Sequence, residues 1–156
     1  AYAQVCVELG RTYLDGFDGA KRLADLLASV LDAADMSDLP LAVGWRDAAR
    51  PPDAAGRAYL MTQAARELRL CHHVVASRSA DVDPMGMVLA ADGERWAAMH
   101  GYQDLSAGPQ DDATRSLVED ATDAASAADL DVLDDAERSD LVTLVEAVFA
   151  HADSAL

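Results

Sequence analysis

The sequence has no isoleucine, no asparagine and a single lysine, Lys21. What it lacks excludes several functions at once. No apolar run approaches the roughly 18 residues that a bilayer-spanning helix needs, so no membrane partner is expected. The N-terminus has no basic region followed by an apolar stretch, which excludes a secretory signal; a start at Ala1 fits a processed chain or a piece of a longer one. Only two cysteines are present, Cys6 and Cys71, and they form neither a CxxC pair nor a zinc spacing. They read as reduced, half-buried thiols of a cytoplasmic protein. A nucleophile elbow, a phosphate-binding loop and a dinucleotide fingerprint are all missing, as is any Cys/His nucleophile spacing. The residues therefore name no cofactor and no reaction.

The scarce residues are those with AT-rich codons, against 33 alanines and 22 aspartates. That bias fits a GC-rich genome such as an actinobacterium's. A halophile is the competing account, since excess aspartate and scarce lysine suit high salt, although only six glutamates accompany them. At 156 residues, 51% of them hydrophobic, the chain can build one globular domain with its own core.

The net charge is −16 and unevenly spread. Residues 1–80 hold 10 acids and 9 bases, for −1, whereas residues 81–156 hold 18 acids and 3 bases, for −15. Counterion release rewards basic surfaces, so the expectation is no direct nucleic acid partner. The acidic half reads as a solvated face, or as a docking surface for a basic partner.

Helical periodicity dominates, and the expected class is all-α, a bundle of six or seven helices spanning 1–156 as a single domain. In 2–15, Val5, Leu9 and Tyr13 recur four apart. In 18–35, Leu23, Leu26, Leu27, Val30 and Leu31 follow the i, i+3, i+4 pattern behind Asp18 as N-cap. Residues 36–53, with Pro40, Gly44, Trp45 and Pro51-Pro52, read as a loop or extended connector. Asp53 caps a long helix at about 54–79, with Leu60, Ala64, Leu68, Cys71 and Val75 as its core stripe. Asp83 and Pro84 open a short helix, and Asp92-Gly93-Glu94 starts another. Residues 101–110 are a loop. A helix at 111–128 turns Leu117, Ala121, Ala124, Ala125 and Ala128 inward. A capping box, Asp134 to Glu137, opens the last helix at about 135–152, which buries Leu141, Leu144, Val145, Val148 and Phe149.

The long helix carries the candidate site. Arg66, Arg69 and His73 gather opposite its core stripe, beside Thr62. They are either a wet face or an anion-recognising patch, with arginine for bidentate contact and histidine as a titratable donor. Glu67 sits on the edge of the apolar face and needs a cation, which another helix would have to supply because Arg78 is too far along. Otherwise it is a perturbed carboxylate fit for acid–base work. Glu67 and His73 diverge by about 120° and make no dyad by themselves. Cys71, His72, His73 and His100 are poorly placed to share a metal, because adjacent helical residues diverge. Trp45 either anchors its connector or lines a pocket.

Leu39-Pro40-Leu41-Ala42-Val43-Gly44-Trp45-Arg46, followed by Arg66-Glu67-Leu68-Arg69, His73, Arg78 and Pro84, resembles an actinobacterial family of helical proteins, some labelled helix-turn-helix or MarR-like. Gly101-Tyr102 and the Asp134–Arg138 box also match. Leu70 and Cys71 stand where that family has small residues, and Asp81 where it has glycine. The resemblance implies an all-helical fold and a candidate face at Glu67, Arg69 and His73. Its members are longer, with a further N-terminal helical half, so this chain would be the C-terminal half of a longer protein or one of a split pair. The expected function is a helical binding or regulatory module that recognises a small ligand, in one form an anion, or a partner chain. The alternatives are an enzyme with an acid–base site around Glu67 and His73, and a structural acidic interaction subunit.

Overall fold

The computed structural model describes residues 2–106 and 108–154. Among them the fold is all-α, with no strand: α1 (Tyr2–Tyr13), α2 (Ala20–Ala33), α3 (Pro40–Arg46), α4 (Ala54–Ser79), α5 (Pro84–Met99), α6 (Asp112–Asp129) and α7 (Asp135–Ser154). A 3-10 turn, Leu130–Val132, joins the last two. The long helix falls where the apolar stripe places it. No described helix is long and apolar enough to cross a membrane. The chain forms two compact units, one of Ala1–Cys71 with Ala127–Leu156 and the other of His72–Ser126.

In the first unit α2 buries Leu23, Leu26, Leu27, Val30 and Leu31, the stripe its periodicity dictates. Its start differs from expectation, because Gly19 and not Asp18 holds the N-cap, and no side chain caps there. A Cβ at Gly19 would lie 2.6 Å from the Leu144 side chain and 2.7 Å from Phe17, so packing sets this helix end. Helices α1 and α4 approach closely at Gly10: a Cβ there would come within 2.6 Å of the Ala55 carbonyl oxygen and 2.7 Å of Tyr59 Cβ. That approach rotates α1. It buries Cys6, Val7 and Gly10, with Leu14 buried just after it, while Val5 of the expected line is half exposed.

Helix α4 starts at a real cap. Asp53 Oδ1 accepts from the Gly56 N–H at 2.8 Å, and its Oδ2 takes Arg11 Nε and Nη2 at 3.1 and 2.7 Å. Leu60, Ala64, Leu68 and Cys71 are buried with Ala58 and Met61, but the stripe stops there, since Val75 and Arg78 face solvent. The connector expected over 36–53 contains a helix, α3. Pro40 opens it with its fixed φ, and buried Met36, Leu39 and Ala42 pin it to the core. Seven residues are too few to show a helical period. On α7 the capping box forms in both directions: Glu137 N–H donates to Asp134 Oδ1 at 2.8 Å, and Asp134 N–H to Glu137 Oε2 at 3.3 Å. The helix buries Leu141 and Val148, with Leu144 and Val145 half-buried, but Phe149 turns outward.

In the second unit Asp83 caps α5, accepting from Met85 N–H at 3.0 Å, with Pro84 in the first turn. Gly93 (φ 78°, ψ −177°) breaks α5 into two helical pieces, where Asp92-Gly93-Glu94 predicts a new start. Helix α6 is turned relative to expectation. Val118 and Thr122 are buried, while Leu117, Ala121, Ala124 and Ala128 face outward. Thr122 tolerates burial because its hydroxyl donates to the Val118 carbonyl at 2.7 Å.

Candidate functional site

Five residues were expected to form the site, and the fold distributes them. Arg66 and Arg69 lie exposed on the α4 surface within the first unit, next to exposed Thr62. Glu67 is buried beside them, and its neighbours on its own helix hold it. Oε1 accepts from Gln63 Nε2 at 2.7 Å and from Arg66 Nη1 at 3.1 Å. The cation expected from another helix therefore comes from the adjacent residue, because the arginine stem is long enough to fold back along the helix. Only 11% of the Glu67 side chain is exposed, against 71% for Arg66, so the pair joins a fixed carboxylate to a solvated guanidinium. The carboxylate also acts inward. Burial, chiefly, pushes the Cys6 thiol up, and the Glu67 charge adds to that.

His73 belongs to the second unit, and its side chain is a quarter exposed. Its Nδ1 lies 3.4 Å from Thr122 Oγ1 and 3.5 Å from Glu119 Oε1. The Thr122 proton is already committed to the Val118 carbonyl. Both oxygens facing Nδ1 are therefore acceptors, which assigns the ring proton to Nδ1. Glu67 and His73 thus have separate partners, as their divergence on the helix requires.

Trp45, on α3 and not in a loop, is half-buried against the first unit's core. Tyr2 meets its ring edge-to-face, with centroids 5.6 Å apart and planes at 79°. The two rings, with Ala3, Pro40, Leu41, Gly44 and Ala48, line a groove of about 270 Å³. Tyr2 and Leu41 were not anticipated here. Leu41 stands four residues before Trp45, so a helix over 40–46 would have been the signal that they share a face.

Charge is organised helix by helix. Helix α4 carries four arginines and one glutamate, whereas α6 and α7 carry five acids each against one arginine. Within the first unit, carboxylates meet arginines of α3, α4 and the segment between them closely. Arg57 Nη2 bonds Asp25 at 2.6 Å, Arg50 bonds Asp32 at 2.9 Å, and Arg46 Nε bonds Asp47 at 2.9 Å. Lys21, then Arg57, holds the Asp25 carboxyl below its ordinary range, and Arg50 does the same for Asp32.

Comparison with known proteins adds one finding. The model of a helix-turn-helix family matches residues 1–107. No curated protein and no solved structure matches the chain. The family match corrects one expectation, that the chain makes no direct contact with nucleic acid, because this fold class points toward nucleic acid. That exclusion rested on the −15 total of residues 81–156, the half expected to be repelled. The matched residues hold 15 acids and 10 bases, for −5, and residues 108–156 hold 13 and 2, for −11. Screening over about 8–10 Å means a phosphate responds to the face in front of it and not to that total.

Proposed function

Because the chain belongs to a helix-turn-helix family, we propose that it is a regulatory module and that the anion its arginine face takes is the nucleic acid backbone. The observation that carries this reading is the solvated pair Arg66 and Arg69 on α4, whose one acidic residue, Glu67, is turned inward. Guanidinium groups match phosphate oxygens in a bidentate way, and such contacts fix register without reading bases. Existing ion pairs lower this affinity only modestly. Exposed pairs contribute about 0–1 kcal/mol each, so a duplex can exchange for them. His73, in the second unit, directs its Nδ1 at α6 and is left out of this face.

The test is fluorescence anisotropy with a labelled duplex at salt from about 0.05 to 0.2 M. Affinity should fall steeply with salt, and Arg66→Ala with Arg69→Ala should weaken binding and reduce the log–log slope by about 0.9 per lost phosphate contact. Absence of any duplex binding at low salt, or a double variant that binds like the parent, refutes this assignment.

A second reading has its own observation. The groove walled by Tyr2 and Trp45 is apolar and aromatic, the lining small-molecule sites use, so recognition of a small ligand is proposed there. Titration with the dye anilinonaphthalene sulfonate should show binding that Trp45→Ala removes; dye binding unchanged in that variant would discard the groove.

A further inference from the structure

Helix α7 lies outside the family match, yet within the first unit it packs against α2, which lies inside it. Its acidic side meets a cation there. Arg22 Nε on α2 donates to Asp140 Oδ2 at 2.7 Å, and Arg22 Nη2 lies 3.7 Å from Glu137 Oε1. The contact raises the guanidinium pKa, chiefly through Asp140. Glu137 and Asp140 are three apart, one turn of a helix whose start the Asp134 box fixes, so both carboxylates present to α2 together. A guanidinium thus meets two anionic oxygen groups, as it would along a phosphate backbone.

We propose that α7 is an intramolecular counter-ion that pairs with Arg22 and competes with nucleic acid for it, an autoinhibitory contact that rests on the nucleic-acid reading above. Charge complementarity supports it: α7 carries five acids against one arginine, while α2 offers Lys21 and Arg22 on its first turn. Because the pair is about half exposed on both sides, it is weak. The device is a throttle on affinity, set by the segment that lies beyond the family match.

The experiment uses the full chain and duplex anisotropy at low salt. Asp140→Asn with Glu137→Gln removes both carboxylates, and glutamine keeps the capping box. Glu146→Gln with Asp153→Asn removes the same two charges from exposed positions on the same helix. The first pair should tighten duplex binding roughly three- to tenfold, the control pair by clearly less, and Arg22→Ala should abolish the gain. Asp140→Asn alone, with an unshifted melt, carries the same test if the double variant folds poorly. Equal tightening by both pairs, or a gain that survives Arg22→Ala, overturns the inference and leaves the nucleic-acid reading standing. No duplex binding by the parent or by any variant overturns both.

Discussion

Replacing Gly10 by alanine tests the packing that sets the first unit. A Cβ at Gly10 would lie 2.6 Å from Ala55 O, 2.7 Å from Tyr59 Cβ and 2.9 Å from Gly56 Cα. Carbon atoms pack at about 3.5–4.0 Å, so α1 and α4 must part by roughly 1 Å, and none of the three atoms sits at the end of a flexible side chain. Overpacking of this kind costs about 1–3 kcal/mol or more. Alanine's better helix propensity returns about 0.5–1 kcal/mol. The net is a loss of about 1 kcal/mol that can reach about 2.5 kcal/mol, or roughly 2–10 °C in melting temperature for a chain of this size. Gly44→Ala supplies the control. It is also a helical glycine, but a Cβ there meets nothing within 4 Å, so only the propensity acts and the melt should rise by about 1–3 °C. Circular dichroism melts of the parent and both variants decide the matter. If Gly10→Ala melts at or above the parent, the close approach of α1 and α4 is wrong.

Three further outcomes are expected. Arg11, first, and the Gly56 N–H hold the Asp53 carboxyl below its ordinary 3.8, so it stabilises the fold above that pH and the contribution disappears as pH falls through the lower folded value. Asp53→Asn keeps the cap but should flatten the acid limb of stability against pH below about 4; an unchanged limb would place that acid sensitivity elsewhere. Gly93→Ala puts a side chain at φ 78°, ψ −177°, a region open essentially to glycine alone. A loss of about 1–3 kcal/mol should appear in chemical denaturation, and a neutral result would count against the break in α5. Thr122→Val removes a buried hydroxyl that bonds Val118 O and faces His73 Nδ1. It should cost about 1 kcal/mol and shift the His73 imidazole resonances, and resonances that stay put would dissolve that contact.

Local signals settled a good deal before any tertiary contact was known. The caps at Asp53, Asp83 and Asp134 operate within three residues, and all three form. The α2 stripe and the Leu60–Cys71 stripe repeat over enough turns to define a face, and the face is buried. Short or rotated elements escaped. Helix α3 has no room for a period, and the inward faces of α1 and α6 differ from the apolar count because Gly10 and a self-satisfied Thr122 serve contact better than a larger residue. Phe149 and Val75 are apolar yet exposed, since periodicity says which residues share a side but not whether anything covers it.

The candidate site divides the same way. Sequence alone determined an all-α chain, an arginine-bearing α4 and a second half rich in acids, because propensity, capping and composition act over a few residues. Tertiary structure decided which charges meet: Glu67 turned in beneath Arg66, Arg22 facing Asp140 across 118 positions, and Trp45 paired with Tyr2. Net charge could not reveal this, since Coulomb forces in salt water fade within about 10 Å and depend on who stands opposite.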